Sequence, residues 1–215
     1  MHLKRQESPK NWPVKRKGTV YIVRPNSDTK KGIPVLVVLR DILKLAQNRK
    51  EAKSAIHSKK VLLNGRAIKD EKTPMLLFDV MAIVQSKKNY RLLVSTTGKF
   101  ELREIKDLEA KYKIAKILNK KMLKGKKIQL NLNDGRNLVS KNRQNIGDSV
   151  VLNLKERKVE RIIPMQEKAK VIIFEGKHAG KEGVIKSIIS KNKMAEINVK
   201  DGSINVLTKQ LIVIE

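Results

Sequence analysis

Apolar positions in the stretch IPVLVVLRDILKLAQNRKEAKSAIHSKKVLLNGRAI, residues 33–68, recur first at helical and then at strand spacing. Leu39, Ile42, Leu43 and Ala46 fall three or four residues apart, which predicts an amphipathic helix. Asn48 is placed to cap a second helix, with Glu51 three residues on in the capping-box position. Ala52, Ala55 and Ile56 form the buried stripe of that helix. Arg49, Lys50 and Lys53 lie on the neighbouring arc, roughly 100° round. The segment ends as a short strand, an Asn64-Gly65 turn and a second strand. Two short helices and a turn-linked strand pair make a small α+β unit with one basic face.

From Tyr90 onward the pattern is that of strands. YRLLVSTTGKFELREI predicts a hairpin around Thr97-Gly98, KKIQLNLNDGRNLVS another at Asp134-Gly135, and DSVVLNLKERKVERIIP a third across Lys155–Lys158. Between the first two lies a basic run containing Lys120, Lys121, Lys124, Lys126 and Lys127, with no acid after Glu109. Such runs are most often solvated faces; here the run repeats a bias found along the whole chain. After Pro164, Ala195, Ile197 and Val199 alternate, Asp201-Gly202 turns the chain, and Ile204, Val206, Leu211 and Val213 complete a small all-β module. Several short strands in so few residues predict a barrel.

The first 31 residues have no sustained apolar period, and Pro9, Pro13 and Pro25 interrupt any helix. Nine basic residues stand there against Glu7 and Asp28, so this segment reads as an extended basic arm, loose without its partner.

Charge narrows the function. Lys and Arg number 49 against 21 Asp and Glu, a net +28 over 215 residues. A compact protein carrying that much like charge calls for a polyanionic partner, nucleic acid before an anionic membrane surface. No apolar stretch approaches the ~20 residues of a membrane-spanning helix. Cysteine is absent and His numbers three, so neither a disulfide framework nor a zinc site is expected, and no cofactor. Aromatics are only 3%, too few to fill the cores and also line a surface for many stacked bases. Recognition of phosphates and of folded RNA shape fits better.

One loop combines flexibility with charge. In KVIIFEGKHAGKEGVIKSI, residues 170–188, Gly176, Gly180 and Gly183 are interleaved with Lys177, His178 and Lys181. Glycine lets a foreign backbone approach closely, and successive N–H groups beside lysines suit phosphate oxygens. The same glycines also suit the turns of a small barrel, so Gly176 and Gly183 read as well structurally as functionally.

Those glycines, with Val184, Ile185 and Ile188 after them, resemble a KOW motif, found in SH3-like barrels of ribosomal proteins and transcription elongation factors. AQNRKEAKSAIHSKKVLLNG is similar to the alpha-L RNA-binding domain, through Arg49, Glu51 and Ala52 on the second helix and Val61, Asn64 and Gly65 at the strand end. Taken with HLKR at 2–5, Trp12, Arg24-Pro25, EAKYK at 109–113 and DGR at 134–136, nearly the whole chain resembles the archaeal and eukaryotic small-subunit ribosomal protein S-four family of the "e" type. His178 stands where that family commonly has Asn.

The resemblance implies a multi-domain α+β fold: an arm over 1–35, an alpha-L domain over 36–99, a middle β-rich domain over 100–166 and a KOW SH3-like barrel over 167–215. It implies a cytoplasmic, non-enzymatic constituent of the small ribosomal subunit, with rRNA and neighbouring ribosomal proteins as partners. The expected RNA contacts are Lys4, Arg5, Lys10, Lys15, Arg16, Lys17 and Arg24 in the arm; Asn48, Arg49, Lys50, Lys53, Lys59, Lys60, Asn64 and Arg66 in the alpha-L domain; Lys120, Lys121, Lys124 and Arg136 in the middle; and Lys177, His178, Lys181 and the three loop glycines in the barrel. Two rivals are weaker. An RNA-modification enzyme or its accessory would carry a catalytic domain, yet no Gly-rich strand-to-helix turn and no His–carboxylate pair in an apolar setting is present. A KOW-type transcription factor would place a distinct α/β domain before its barrel, where this chain has hairpins.

Overall fold

The computed structural model describes residues 2–125, 127–140, 144–189, 193–200 and 202–214. Lys126 of the basic run and Asp201 of the expected last turn lie outside the described residues. The fold is mostly β, with few helices and several sheets. It forms two compact units, Met1–Val94 with Lys99–Lys111, and Ser95–Gly98 with Tyr112–Glu215.

In the first unit, β1 (Leu3–Lys4) pairs with β2 (Tyr21–Ile22), and β3 (Gly32–Pro34) leads into a helix. Helix α1 (Val35–Val37) continues as a π turn over Val38–Ile42, closed by the Leu43 N–H donating to Val38 O at 2.9 Å. Val35 to Leu39 are all buried, so this helix is apolar all round where it starts. The expected stripe through Ala46 therefore overshoots: the helix begins at Val35, and Ala46 packs from the loop beyond it. Helix α2 (Arg49–His57) is as the cap predicts, with Asn48 Oδ1 accepting from the Glu51 N–H at 3.0 Å. The Glu51 carboxylate accepts from Gln47 N at 2.7 Å, one residue earlier than the usual capping box.

Strands β4 (Val61–Leu63) and β5 (Arg66–Ala67) flank the Asn64-Gly65 turn, where both residues take positive φ, 51° and 73°. After β6 (Pro74–Leu76), which pairs with β3, strands β7 (Val80–Ile83), β8 (Lys88–Val94) and β9 (Phe100–Ile105) complete a five-stranded antiparallel sheet in the order β5-β4-β7-β8-β9. Since β8 and β9 are hairpin partners, a boundary at 99/100 would separate strands that hydrogen-bond to each other; the chain passes from one unit to the other at Lys111–Tyr112 instead.

The N-terminal segment is extended, but it is not loose. Trp12 and Ile22 are 3% and 7% exposed in the core that also holds Ile33, Leu36, Ile56 and Leu92. The Phe100 N–H donates to Asn11 O at 2.7 Å. Isolated aromatic and aliphatic anchors, rather than a periodic stripe, hold this segment down.

The second unit holds two sheets and two apolar cores, the second of which also takes in Ile163 from the first sheet. Strands β10 (Tyr112–Leu123), β11 (Lys127–Leu132), β12 (Asn137–Ser140), β13 (Ser149–Asn153) and β14 (Val159–Ile163) are ordered β12-β11-β10-β13-β14. Ala115, Ile117, Leu130, Leu132, Val150 and Leu152 fill one core. A bulge between Ile117 and Asn119 divides β10, so its first half pairs with β13 and its second with β11. The other sheet comprises β15 (Lys170–Ile173), β16 (Glu182–Ile189), β17 (Met194–Val199), β18 (Gly202–Leu207) and β19 (Leu211–Val213), ordered β18-β17-β16-β15-β19, around Val171, Ile185, Ile197 and Leu211.

Candidate nucleic-acid interface

Two of the expected N-terminal contacts spend much of their hydrogen-bonding capacity inside the segment. Arg5 donates from Nε to Thr19 O (2.7 Å), from Nη1 to Lys15 O (2.9 Å) and from Nη2 to Thr19 Oγ1 (2.7 Å). Arg16 donates to Gln6 O and Ser8 O at 3.1 and 3.3 Å. These guanidiniums fold the segment into a loop, which leaves the exposed heads of Lys4, Lys10, Lys15, Lys17 and Arg24 to face outward.

On the α2 side, roles divide sharply. Asn48 caps the helix. Arg49 forks both Nε and Nη2 onto Glu71 Oε1, whose side chain is 4% exposed, and that carboxylate raises the guanidinium pKa above its ordinary value. A buried carboxylate stripped of its cation is costly, so Arg49 holds the fold together whatever else it contacts. Lys50, Lys53, Lys59, Lys60 and Arg66 are exposed. Asn64 corrects the expectation outright. It is buried, its amide donates to Asp79 Oδ1 at 2.8 Å, and its Oδ1 accepts from Val80 N at 3.0 Å, so its polar atoms are used in tying the turn to the start of β7.

In the second unit, Lys121 and Lys124 are exposed, while the Lys120 ammonium donates to Gln144 O at 3.1 Å. Arg136 lies 3.4 Å from Asp134 Oδ2, which also binds Lys113 at 2.7 Å; the Lys113 and Asp134 side chains are almost wholly buried. Lys113 was invisible as an internal cation, because lysine in a basic run reads as surface.

The glycine loop is held mainly by packing. Gly180 has φ of +85°, and a Cβ there would lie 1.9 Å from Ser95 O. At Gly183, in β16, a Cβ would meet Asn198 O at 2.5 Å. Both must be glycine for the fold, so their presence is not by itself a sign of phosphate contact. Lys177 is exposed; His178 and Lys181 are half-buried, and Lys181 has a partner within the protein.

Sequence order did not reveal a cavity of about 580 Å³ in the first unit. It joins Arg24 and Arg49, both expected contacts, with His2, Tyr21, Arg40 and Lys72, which were not. Among the described residues no three His, Cys, Asp or Glu side chains cluster as a metal site, and no helix is long and apolar enough to cross a membrane.

A mostly β chain of several small sheets, with exposed lysines and arginines spread over both units, has the make-up of a protein that meets an extended polyanion at many points. Residues 86–159 match the Ribosomal family S4e, and residues 1–27 the RS4NT (NUC023) domain. The chain is 40% identical over 190 residues to the small ribosomal subunit protein eS4 of Methanocella arvoryzae, covering 87% of this chain and 80% of that one. With the small ribosomal subunit protein eS4 of Methanosphaera stadtmanae it shares 34% over 220 residues, 99% of this chain and 91% of the other. The crystal structure of the 30S ribosomal protein S4e from Thermoplasma acidophilum is similar in fold, with a TM-score of 0.75 at 25% identity, covering 86% of this chain and 95% of that one. The chain belongs to the ribosomal S4e family.

Proposed function

We propose that this protein is a structural constituent of the small ribosomal subunit, binding rRNA through phosphate and shape recognition and carrying out no catalysis. The observation that carries this reading is the 34% identity to a small-subunit eS4 protein across 99% of the chain. The physical support is the net charge of +28, with exposed cations in both units. Each neutralised phosphate releases counterions, so many modest contacts sum to tight binding at low salt. Several segments engaging one folded RNA keep each local concentration high when another lets go.

Within that role, an alpha-L RNA-binding domain begins at residue 36 and its sheet runs on through the β8–β9 hairpin, a middle β-rich domain follows from Tyr112 to residue 166, and residues 167–215 act as an SH3-like barrel presenting a KOW loop. The arm over 1–35 is the fourth contact region. Lys4, Lys10, Lys15, Lys17, Lys50, Lys53, Lys59, Lys60, Arg66, Lys121, Lys124 and Lys177 reach phosphates, an assignment supported by their exposure. Neighbouring small-subunit proteins are the other partners, and the site of action is the ribosome in the cytoplasm.

Co-sedimentation tests the reading. The protein is expected on mature small subunits at near one copy each, retained through a moderate salt wash. Finding it mainly free, or with RNA polymerase, while mature small subunits lack it would overturn the assignment.

A further inference from the structure

The cavity in the first unit has a charge pattern and a single aromatic wall that the many-phosphate reading leaves unexplained. Four cations line it, Arg24, Arg40, Arg49 and Lys72. Two are matched inside the protein: Arg40 forks onto Asp41 through bonds of 3.0 and 2.8 Å, and Arg49 onto Glu71. Arg24 and Lys72 make no ion pair among the described residues; Asp70 is the carboxylate nearest in influence to Lys72, and it is itself held by the Asn26 amide at 2.7 Å. Against Asp41, Glu71 and Asp70 these four cations leave one positive charge over, which suits the single charge of a phosphodiester rather than a neutral metabolite.

Its wall supplies the second component. The chain has seven Phe, Trp and Tyr residues, and Tyr21 alone among them is exposed, at 56%. It stands on β2 with the His2 ring beside it, centroids 5.3 Å apart and planes tilted by 47°. That tilt leaves the ring faces unstacked on each other. On a strand anchored by buried Ile22, the exposed Tyr21 ring offers a fixed aromatic surface that a base could cover.

We infer that this cavity receives one unstacked nucleotide of an RNA strand, its base against Tyr21 and its phosphate on Arg24 and Lys72. The inference rests on the rRNA-binding reading above and adds a nucleotide-specific contact to it. About 580 Å³ lies within the range of small-ligand sites and gives room for a base with its ribose. The β1–β2 pair and the Arg5 bonds to Lys15 and Thr19 hold the Tyr21 wall in place before RNA arrives, so little ordering remains to be done on binding. Base–aromatic stacking tolerates any base, so the site selects an unpaired position rather than a sequence.

The test uses the full-length protein with in vitro transcribed small-subunit rRNA. Ultraviolet irradiation of the wild-type complex is expected to yield one cross-linked nucleotide on the peptide containing Tyr21. Tyr21→Ala should weaken binding about tenfold, with the slope of log K against log salt unchanged. Arg24→Ala with Lys72→Ala should reduce that slope by about 0.7–0.9, as for a single phosphate, and abolish the cross-link. Tyr21→Phe should bind as wild type does. Millimolar 5′-AMP should leave the cross-link in place; its loss to AMP with rRNA still bound would make this a free-nucleotide site and overturn the strand assignment. Wild-type binding to rRNA with no cross-link at Tyr21, and with all variants binding alike, would overturn the cavity while leaving rRNA binding intact. If the wild type binds no rRNA, both fall.

Discussion

Lys116 and Ser149 are direct cross-strand partners on β10 and β13, and both reach across to the end of the chain. The Lys116 ammonium donates to Thr208 O at 2.5 Å and Leu211 O at 2.6 Å, while Ser149 Oγ accepts from the Val213 N–H at 3.0 Å. Both residues are buried, at 2% and 0% exposure. A polar seam thus ties the two sheets of the second unit at β19. The short turn Thr208–Gln210 and the last strand are positioned by a lysine, not by apolar packing alone.

Burial pushes the Lys116 ammonium down to about 8, from 10.5 in the open chain. Between those values the unfolded chain holds a proton that the folded protein has released. Stability should therefore rise as pH increases through that window, by about 1.4 kcal/mol per pH unit at most, and be flat in this contribution below it. Lys116→Met fills the space without the charge but leaves two buried carbonyls without their donor, a loss of about 1–3 kcal/mol. The stability gap between wild type and Lys116→Met should widen from pH 7.5 to pH 10 in urea titrations. A gap that stays constant would mean that the lysine is already neutral, or stays charged, throughout.

Asn64 gives the converse of a contact residue. Its amide binds Asp79 and Val80, and Asp79 Oδ2 accepts from the Leu76 N–H at 2.7 Å, so one turn residue organises three backbone segments. Asn64→Ala also places a residue with a Cβ and no turn-forming side chain at φ 51°. It should cost about 2–3 kcal/mol in denaturant titrations, while rRNA affinity measured well below the melting point keeps its salt slope.

What was legible in the sequence was what short-range chemistry decides. The Asn48 cap, the Asn64-Gly65 turn and the hairpin turns at Gly98 and Gly135 each require a particular residue at one place, and each is found there. Long-range burial was not legible. Trp12 is an isolated aromatic among prolines and lysines, and only its packing in the first core reveals that the basic arm is anchored. β10 is a 12-residue strand in which Lys113 and Lys116 point inward. Internal lysines break the alternation by which a strand is recognised, so the segment reads as a basic run. Residues 69–89, which supply β6 and β7, offered no turn residue of the usual kind at Phe78, whose φ is +61°. As for the interface, exposed lysines were predictable as a class, but which cations face inward depends on the acids that folding brings to them, Glu71 for Arg49 and Asp134 for Arg136 and Lys113.

Arg49 and Lys53 sit four residues apart on one helix and should behave differently. Lys53 is exposed and makes no ion pair among the described residues. Lys53→Ala should leave the melting temperature unchanged and reduce the salt slope of rRNA binding by up to about 0.7–0.9. Arg49→Ala takes the charged partner from Glu71 and should lower stability by about 1–3 kcal/mol. Double substitution with Glu71→Gln should restore some of that loss, because the buried charge goes with its cation. Equal melting temperatures for Arg49→Ala and Lys53→Ala would show that the Glu71 pair contributes nothing to the fold.

The glycine loop separates in the same way. Gly180→Ala puts a Cβ into the Ser95 carbonyl at a positive φ, where backbone rather than a side-chain tip must move, and should cost more than about 2 kcal/mol. At Gly176 the nearest obstacle is the Gln210 side-chain amide at 3.0 Å, which can rotate away, so Gly176→Ala should carry chiefly the smaller cost of φ at +95°. Lys177 is exposed, and Lys177→Ala should leave thermal unfolding as it is while weakening rRNA binding in a salt-dependent way. Measured together by differential scanning calorimetry and filter binding, the three variants should fall into two groups, glycine changes moving stability and the lysine change moving affinity. If Lys177→Ala changes neither, the exposed lysine of this loop has no part in RNA contact.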